Sequence, residues 1–349
     1  MRRRTDVIKA AGLLVAAMAS AALGLEMSTV VVMDPCNVGE VSGEGADVYG
    51  HGSTRVCGAV DYVYEIGTYE VTAGQYCEFL NAVAAADYYT LYETYMWTND
   101  KGPKIRRSGS WGSYTYAIDG DWSERPMNFV NWGDAVRFCN WMTNGQPIGT
   151  LTGDPNFDAA LTEDGSYVLN GAVTSPAVDA ATRKPDAVWV LPTEDEWYKA
   201  AYYKGGGNIA GYYDYATLSD TQPSNQVTVP DEGNNANFYV NYPVEYTIGA
   251  PYYRTEVGEF EWSFSAYRTY DQSGNVQEWT ETREGTYGRV YRGGGWPNVH
   301  WGLHAGARNC DGVLQVGMDR GFRVARVPEP GMMGLLALGG LALLRRRWG

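Results

Sequence analysis

Residues 189–203 read WVLPTEDEWYKAAYY, and this stretch decides the fold class. Thr193 and Glu196 have the spacing of a capping box, in which the side chain of each residue bonds the backbone N–H of the other at a helix start. Trp197 and the alanines after it then lie on one face. We therefore predict an amphipathic helix over 193–203, entered directly from a short strand-like run.

Two further segments have the same helical pattern. Residues 72–86 begin at a Thr, and residues 132–144 end before Gly145, a common helix stop. The rest of the chain consists of short strand-like pieces broken by Asn, Asp, Gly, Ser and Pro. These pieces are Tyr62–Ile66, Ala187–Leu191, Arg289–Arg292 and Gly321–Ala325. We predict a loop-rich α+β fold whose core is built around Trp and Tyr.

Composition excludes several classes of protein. The chain has 349 residues, of which 13 % are aromatic and 19 % are charged, so it is too rich in core-forming residues to be disordered. Its net charge is −14, from 41 acidic against 27 basic residues. A surface this acidic repels phosphate backbones, and we expect no nucleic-acid partner.

The N-terminus has the features of an export signal. Residues 1–9 are basic, residues 10–24 are small and apolar, and Ala19-Ser20-Ala21 suits a signal peptidase. We therefore interpret residues 1–24 as a secretory signal peptide. The alternative is an N-terminal membrane anchor, for which the apolar run is short.

The C-terminus has the features of a second targeting signal. Val327-Pro328-Glu329-Pro330-Gly331 leads into the apolar run 332–344, which is followed by three arginines. The order of these features over 327–349 resembles the PEP-CTERM sorting signal of Gram-negative bacteria. The resemblance implies a tail that lies transiently in the membrane, an exosortase as partner, and delivery to the cell surface or extracellular matrix. A plain C-terminal anchor is the alternative.

Five cysteines are spread along the chain, at positions 36, 57, 77, 139 and 310. Export permits disulfides, and Cys36 and Cys57 flank a Gly-rich stretch that such a bond could close. Five is an odd number, so at least one thiol stays free or pairs between chains. No CxxC spacing occurs, which argues against a thiolate zinc site.

Eight blocks in order resemble the formylglycine-generating enzyme family, also called the sulfatase-modifying factor domain. They are YEIGTYEVTAGQYCEFLNAV (64–83), RPMNFVNWGDAVRFCNWM (125–142), WVLPTEDEWYKAAYY (189–203), NANFY (235–239), DQSGNVQEWTE (271–281), RVYRGGGW (289–296), GAR (306–308) and GFRVAR (321–326). The resemblance implies one domain over residues 60–326 with the C-type-lectin-like fold of that family.

The resemblance also locates where the family's copper would bind. Its enzymes oxidise a sulfatase cysteine to formylglycine with oxygen and copper, using two cysteines that follow an RGGS[WY] motif. In this chain those positions are Asn298 and Leu303, and Gly295 replaces the motif's serine. An amide and an alkyl group cannot supply the soft thiolates that Cu(I) prefers. We therefore expect neither copper nor formylglycine-generating activity.

Calcium ligands of the family are better preserved. The aligned first site is made of the Asp271 carboxylate, the Gly274 and Val276 carbonyls, and the Glu278 carboxylate. Hard oxygen donors of this kind suit Ca²⁺. The alternative is that Asp271 and Glu278 cap turns or pair with arginines. A second site would use Asn237 and the Phe238 carbonyl, without the acidic ligand expected downstream.

We interpret the remaining tryptophans, arginines and glutamates of these blocks as structural residues. We expect Trp132, Trp197, Trp279 and Trp296 in the core, and buried ion pairs between acids and Arg292, Arg308 and Arg323. Glu194 and Glu196 are assigned to the cap and dipole of their helix.

Two hypotheses for function remain. The first is an exported, non-catalytic surface or matrix module that calcium stabilises and that binds a protein or a glycan. The second is an active sulfatase-modifying or related oxygen-dependent oxidoreductase that uses other ligands, with His300, His304 and Cys310 nearby in sequence.

Overall fold

The computed structural model describes residues 24–42, 55–241, 244–286 and 288–327. The predicted signal peptide lies outside these residues except for Gly24, and the predicted sorting tail lies outside them after Val327. Within the described ranges no helix is long and apolar enough to cross a membrane.

Six α-helices are found in the described ranges. The helices are α1 (Ala73–Val83), α2 (Tyr95–Thr98), α3 (Trp132–Thr143), α4 (Pro155–Asp158), α5 (Ser175–Asp179) and α6 (Glu194–Tyr202). The three longest, α1, α3 and α6, form where the sequence predicts helices. Complete capping boxes begin α1, α3 and α6. The box that starts α6 uses Thr193 and Glu196, as predicted. Residues 120–122 and 300–303 add 3₁₀ turns, and 159–163 a π turn.

Fourteen short strands are found in the described ranges. They are β1 (Thr29–Val32), β2 (Glu40–Ser42), β3 (Arg55–Cys57), β4 (Tyr64–Gly67), β5 (Ile105–Ser108), β6 (Thr115–Ile118), β7 (Trp189–Val190), β8 (Tyr239–Asn241), β9 (Val244–Tyr246), β10 (Gln277–Glu284), β11 (Gly288–Arg292), β12 (Asn309–Gly312), β13 (Arg320–Gly321) and β14 (Ala325–Arg326). Two four-stranded sheets have the orders β1-β4-β14-β7 and β12-β11-β10-β13, and three hairpins complete the set.

The first sheet joins distant parts of the chain. Ala325 of β14 lies opposite Ile66 on one side and Val190 on the other, with both pairings antiparallel. In the second sheet β10 forms a hairpin with β11 and runs parallel to β13. The sequence predicted one strand-like piece over Gly321–Ala325. The structure divides it between two sheets, because the partners of its two ends lie in different layers.

An aromatic core fills the space between α1, α3 and the first sheet. Phe138 packs edge to face against Phe79 and Phe322, with ring centroids 5.4 and 5.5 Å apart. All four tryptophans assigned to the core are buried, with exposures from 0 to 1 %. Aromatic ring pairs such as Phe138 with Phe79 add about 0.5–1.5 kcal/mol each beyond the burial of their surface.

The mixed content of helices and strands in the described ranges confirms the predicted α+β class.

All five cysteines are free thiols, so the loop between Cys36 and Cys57 is not closed by a disulfide. Buried ion pairs connect distant segments of the chain instead. The predicted pairs of Arg292, Arg308 and Arg323 with acids are confirmed.

Glu194 does more than begin α6. Its carboxylate pairs with Arg292 at 2.5 Å, with Arg308 at 2.8 Å and with Arg55 at 2.9 Å. The side chains of Glu194 and Arg292 are fully buried. Burial alone raises the pKa of Glu194, but Arg292 and Arg308 outweigh it and hold the pKa below its usual value. The first residue of α6 thereby anchors the second sheet.

We predict that Glu194→Gln costs about 3–5 kcal/mol of unfolding free energy at neutral pH, because buried guanidinium groups lose their counter-charge. The lowered pKa means that the carboxylate stabilises the wild type above the unfolded-state value of 4.5, and that this contribution disappears as pH falls through the folded-state pKa. Urea unfolding across pH measures both effects. The exposed Glu245→Gln serves as control, and equal losses in the two variants would contradict the assignment.

Candidate functional site

The loop before β10 is tightly curled and holds three segments together. Gly274 has φ +115°, and a Cβ there would lie 2.6 Å from the Asn237 carbonyl oxygen, so only glycine fits. The Gly274 N–H donates to the Gly293 carbonyl at 2.9 Å, and the Asn275 N–H to that of Asn237 at 2.9 Å. Trp296 N–H donates to the Asn275 carbonyl at 2.9 Å. The Gly274 carbonyl itself receives no hydrogen bond from the described residues.

Glu278 lies at the centre of a buried network on β10. It is fully buried, and its carboxylate accepts from Arg323 Nε at 2.5 Å and Nη2 at 2.7 Å. The indole Nε1 of Trp197 donates to the same carboxylate at 2.7 Å. Arg323 also donates to the carbonyls of Gly67 and Tyr270 at 2.9 and 2.8 Å. The alternative reading, an arginine pair, therefore applies to Glu278.

A second carboxylate of the predicted calcium site, Asp271, lies in the same region. Its Oδ2 accepts from the Gly258 N–H at 2.7 Å. Burial raises the pKa of Asp271 to about 6, against the opposing effect of the Gly258 hydrogen bond and the Arg323 charge. No arginine or lysine pairs directly with Asp271 in the described ranges.

Glu70 is a third carboxylate of this region, which the sequence reasoning missed. It is 1 % exposed, and neither side-chain oxygen has a hydrogen-bond partner among the described residues. The segment that carries it lies alongside Asp271 and Arg323, because Tyr270 N–H donates to the Thr68 carbonyl at 2.9 Å. Burial raises the pKa of Glu70 well above its usual value, and the charges of Asp271 and Glu278 raise it further.

Three carboxylates therefore lie within electrostatic reach of one guanidinium, that of Arg323. An uncompensated buried carboxylate is costly unless a cation or a proton balances it. No set of three or more His, Cys, Asp or Glu side chains in the described part of the chain forms a metal site by itself. Main-chain oxygens, such as the free Gly274 carbonyl, would complete the coordination of a hard cation. Asp271, Glu70 and the Gly274 carbonyl offer the charge and donor type that suit a hard cation, whereas the Glu278 carboxylate is already paired with Arg323.

The two predicted copper positions are occupied by residues with structural roles. Asn298 Oδ1 accepts from the Gly295 N–H at 2.9 Å and from Gln277 Nε2 at 2.8 Å. Leu303 is fully buried and packs in a small cluster with Tyr215 and Phe238. One residue closes a turn and the other fills a core, so neither is free to act on a substrate.

Comparison with known proteins was made against sequence families and solved structures. A profile of the sulfatase-modifying factor enzyme 1-like domain matches residues 59–328, which is most of the chain. The chain belongs to this family. No curated protein matches it.

Several solved structures are similar to this chain, and one of those described next reaches a TM-score of 0.50. The variable protein 1 of Treponema denticola is 20 % identical over 87 % of this chain and 96 % of its own, with a TM-score of 0.50. A protein named CarF is 19 % identical over 87 % of this chain and 99 % of its own, with a TM-score of 0.47. PvdO from Pseudomonas aeruginosa is 18 % identical over 86 % of this chain and 94 % of its own, also with a TM-score of 0.47. At such identities the likeness concerns the fold alone.

The second calcium position predicted from the sulfatase-modifying factor family is less well equipped. Asn237 Nδ2 donates to the Tyr253 carbonyl and to Asn275 Oδ1, both at 3.0 Å. The Phe238 carbonyl accepts from Thr247 Oγ1 at 3.1 Å. These oxygens and amides already serve protein contacts, and neither residue contributes a charge.

The two histidines near the lost copper positions are also engaged. His304 Nδ1 accepts from the Gly306 N–H at 3.0 Å, and its ring packs on Tyr215. The His300 ring stacks on Trp301 with centroids 4.5 Å apart. Burial lowers the pKa of both histidines, which favours the neutral form. In the described ranges no third metal-binding side chain joins them.

Glu70 carried a weak signal in the sequence. It is a lone acid in the run Ile66–Val71, between the buried residues that precede α1. A charged residue in such a run indicates a buried partner, but nothing local identifies which one. The pairing of Glu194 with three arginines could not be predicted either, because those arginines lie far from Glu194 in the sequence.

We predict that Leu303→Ala costs about 2–5 kcal/mol of unfolding free energy, because the substitution leaves a cavity in the apolar cluster. Ile148→Ala, at a position 85 % exposed, is the control and should change little. Thermal and urea unfolding compare the two variants. A Leu303→Ala protein as stable as the control would show that this position belongs to an open cleft instead of a core.

Proposed function

We propose that this protein is an exported, non-catalytic member of the sulfatase-modifying factor family that acts as a calcium-stabilised binding or matrix module. The observation that carries the proposal is the use of Asn298 and Leu303 for packing where the family resemblance places thiolates. The side-chain oxygen of Asn298 accepts from the Gly295 N–H and from Gln277 Nε2, and Leu303 has no accessible surface. Cu(I) needs soft ligands that neither residue can supply.

Calcium is proposed at the first site. The predicted ligands are Asp271, Glu278 and the carbonyls of Gly274 and Val276. Because Glu278 is already paired with Arg323, Asp271 and the carbonyls would hold the ion, with Glu70 as an additional buried charge. The ion would supply positive charge to carboxylates that Arg323 alone does not balance. Its role is structural, because it would stiffen the curled loop between β10 and the segment at Asn237. The second position, at Asn237 and Phe238, is proposed only as a weaker site.

The proposed ligand-binding surface lies beside Asn298. Tyr253 and Tyr246 pack against Trp296 with ring centroids 4.7 and 5.7 Å away, and Tyr239 stacks near Tyr246 at 4.9 Å. Tyr246 is 40 % exposed. Aromatic rings with polar tips suit protein or glycan ligands, since one side of each ring is apolar and the hydroxyl remains hydrogen-bonding. Nucleic acid is disfavoured by the net charge of −14.

The location follows from the two ends of the sequence. A signal peptide over 1–24 and a PEP-CTERM-like tail over 327–349 support export to the cell surface or matrix of a Gram-negative bacterium, with an exosortase-type enzyme as processing partner. The alternative function is a sulfatase-modifying or related oxygen-dependent oxidoreductase that uses ligands other than the family's two thiols.

The first test is an activity assay on the purified domain. A Cys-x-Pro-x-Arg peptide is incubated with protein, oxygen and copper, and mass spectrometry follows the thiol. The proposal predicts an unchanged cysteine because no thiolate is available to hold Cu(I). An aldehyde product formed by this chain, and absent from a heat-denatured control, would establish the alternative.

The second test measures thermal stability in calcium and in chelator. An ion present at 100 times its Kd should stabilise the wild type by about 2.7 kcal/mol. Asp271→Asn should lose most of this calcium-dependent increment, while Glu259→Gln, an exposed acid nearby, should keep it. If chelator lowers the Tm of wild type and Asp271→Asn equally, the ion binds elsewhere.

A further inference from the structure

A separate cavity of about 190 Å³ opens at the start of α3. None of its lining residues belongs to the candidate site described above. One water needs only ~10–15 Å³ of such space, so the cavity is much larger than a hydration site. It is smaller than a typical drug-sized pocket of about 300–1,000 Å³, and this size suits a single functional group on a short stem.

A buried carboxylate with one unused oxygen lines this cavity. Asp134 lines it and is 3 % exposed. Its Oδ2 accepts from the Asn131 N–H at 2.9 Å as part of the helix cap. Its Oδ1 receives no hydrogen bond from the residues that the structure describes. The helix cap therefore uses Oδ2 of Asp134 and leaves Oδ1 available to a ligand.

The cavity's other charges leave it net negative. Arg137, which also lines it, is neutralised by Glu163, whose oxygens lie 2.7 and 3.1 Å from its Nε and Nη2. Arg137 does not form an ion pair with Asp134 in the described ranges. Glu93 adds a second carboxylate to the wall. Burial raises the pKa of Asp134 to about 8, so the acid is largely protonated at neutral pH in the empty cavity, and an ammonium ligand would stabilise its ionised form.

The remaining wall combines polar Thr90 and Asn131 with apolar side chains. Val173, Leu314 and Val316 line one side, and the buried ring of Tyr89 lies under the Arg137 guanidinium, 4.4 Å from its centre. Tyr89 is fixed because its hydroxyl donates to Asp158 Oδ2 at 2.8 Å. The cavity thus joins an aliphatic wall to an unpaired carboxylate. Arg137 Nη1, which bonds no described residue, is the N–H available to a ligand oxygen.

We propose that this cavity binds a primary ammonium group on a short aliphatic stem, as in lysine. The ammonium lies against Asp134 and Glu93, and the stem lies along Leu314 and Val316. A carbonyl or carboxylate oxygen at the other end of the stem accepts from Arg137. The same chemistry is offered by a free amino acid and by a lysine side chain of a partner protein.

Calorimetric titration of the folded domain tests the proposal with two matched probes. Nα-acetyl-lysinamide should bind, and Nα-acetyl-norleucinamide, which has the stem without a terminal amine, should bind at least tenfold more weakly. Free lysine and a Gly-Lys-Gly peptide distinguish the sources. Binding of both free lysine and the Gly-Lys-Gly peptide indicates that the ligand is a lysine side chain of a partner protein. Binding of free lysine without binding of the peptide indicates a free amino acid.

Variants locate the site. Asp134→Asn keeps the cap acceptor and removes the charge, so it should weaken lysinamide binding at least tenfold. Val173→Trp fills the mouth of the cavity without changing charge and should abolish binding. Val168→Trp is the control, since Val168 is similarly exposed (52 % against 57 %) and does not line the cavity. The proposal is overturned if wild type does not bind lysinamide at millimolar concentration, if norleucinamide binds equally, or if Val173→Trp binds normally.

Discussion

The buried ion pair between Arg323 and Glu278 is the interaction on which the rest of the structure depends. Arg323 follows β13 near the end of the domain, and Glu278 lies on β10. The arginine also donates to the Gly67 carbonyl at the end of β4, and the glutamate accepts from Trp197 of α6. Both sheets and one capped helix therefore meet at one pair. Because both side chains are fully buried, removing either partner would leave an uncompensated charge in the core.

The same pair limits what the adjacent site can do. It draws Glu278 inward and leaves Asp271 and Glu70 with excess negative charge, which a hard cation can balance. On the other side of the curled loop, Asn298 and Leu303 hold the turn after β11 by a hydrogen bond and by packing. Calcium and hydrophobic contacts can maintain this arrangement without any thiol. Under the proposed function, the family's scaffold persists in this chain without the thiolates that the resemblance places at these two positions.

Local signals were sufficient to predict the three longest helices, α1, α3 and α6, because a capping box such as Thr193 with Glu196 involves residues three apart. The short helices α2, α4 and α5 were not predicted. The core tryptophans and arginine pairs were also predicted, from the family's blocks. The sequence could not show which acid each arginine meets, since Glu194 and Arg308 are 114 residues apart. Glu70 was missed for the same reason. The segment Gly321–Ala325 was predicted as one strand because its division depends on partners in two different sheets.

The central claim is that the family's copper position has become part of the packed structure. Anomalous diffraction from crystals of the domain grown with Cu(I) under anaerobic conditions and with calcium tests it most directly. The account predicts no copper peak between Asn298 and Leu303, and a calcium ion beside Asp271 and Gly274. A copper peak at full occupancy next to Asn298 would contradict it.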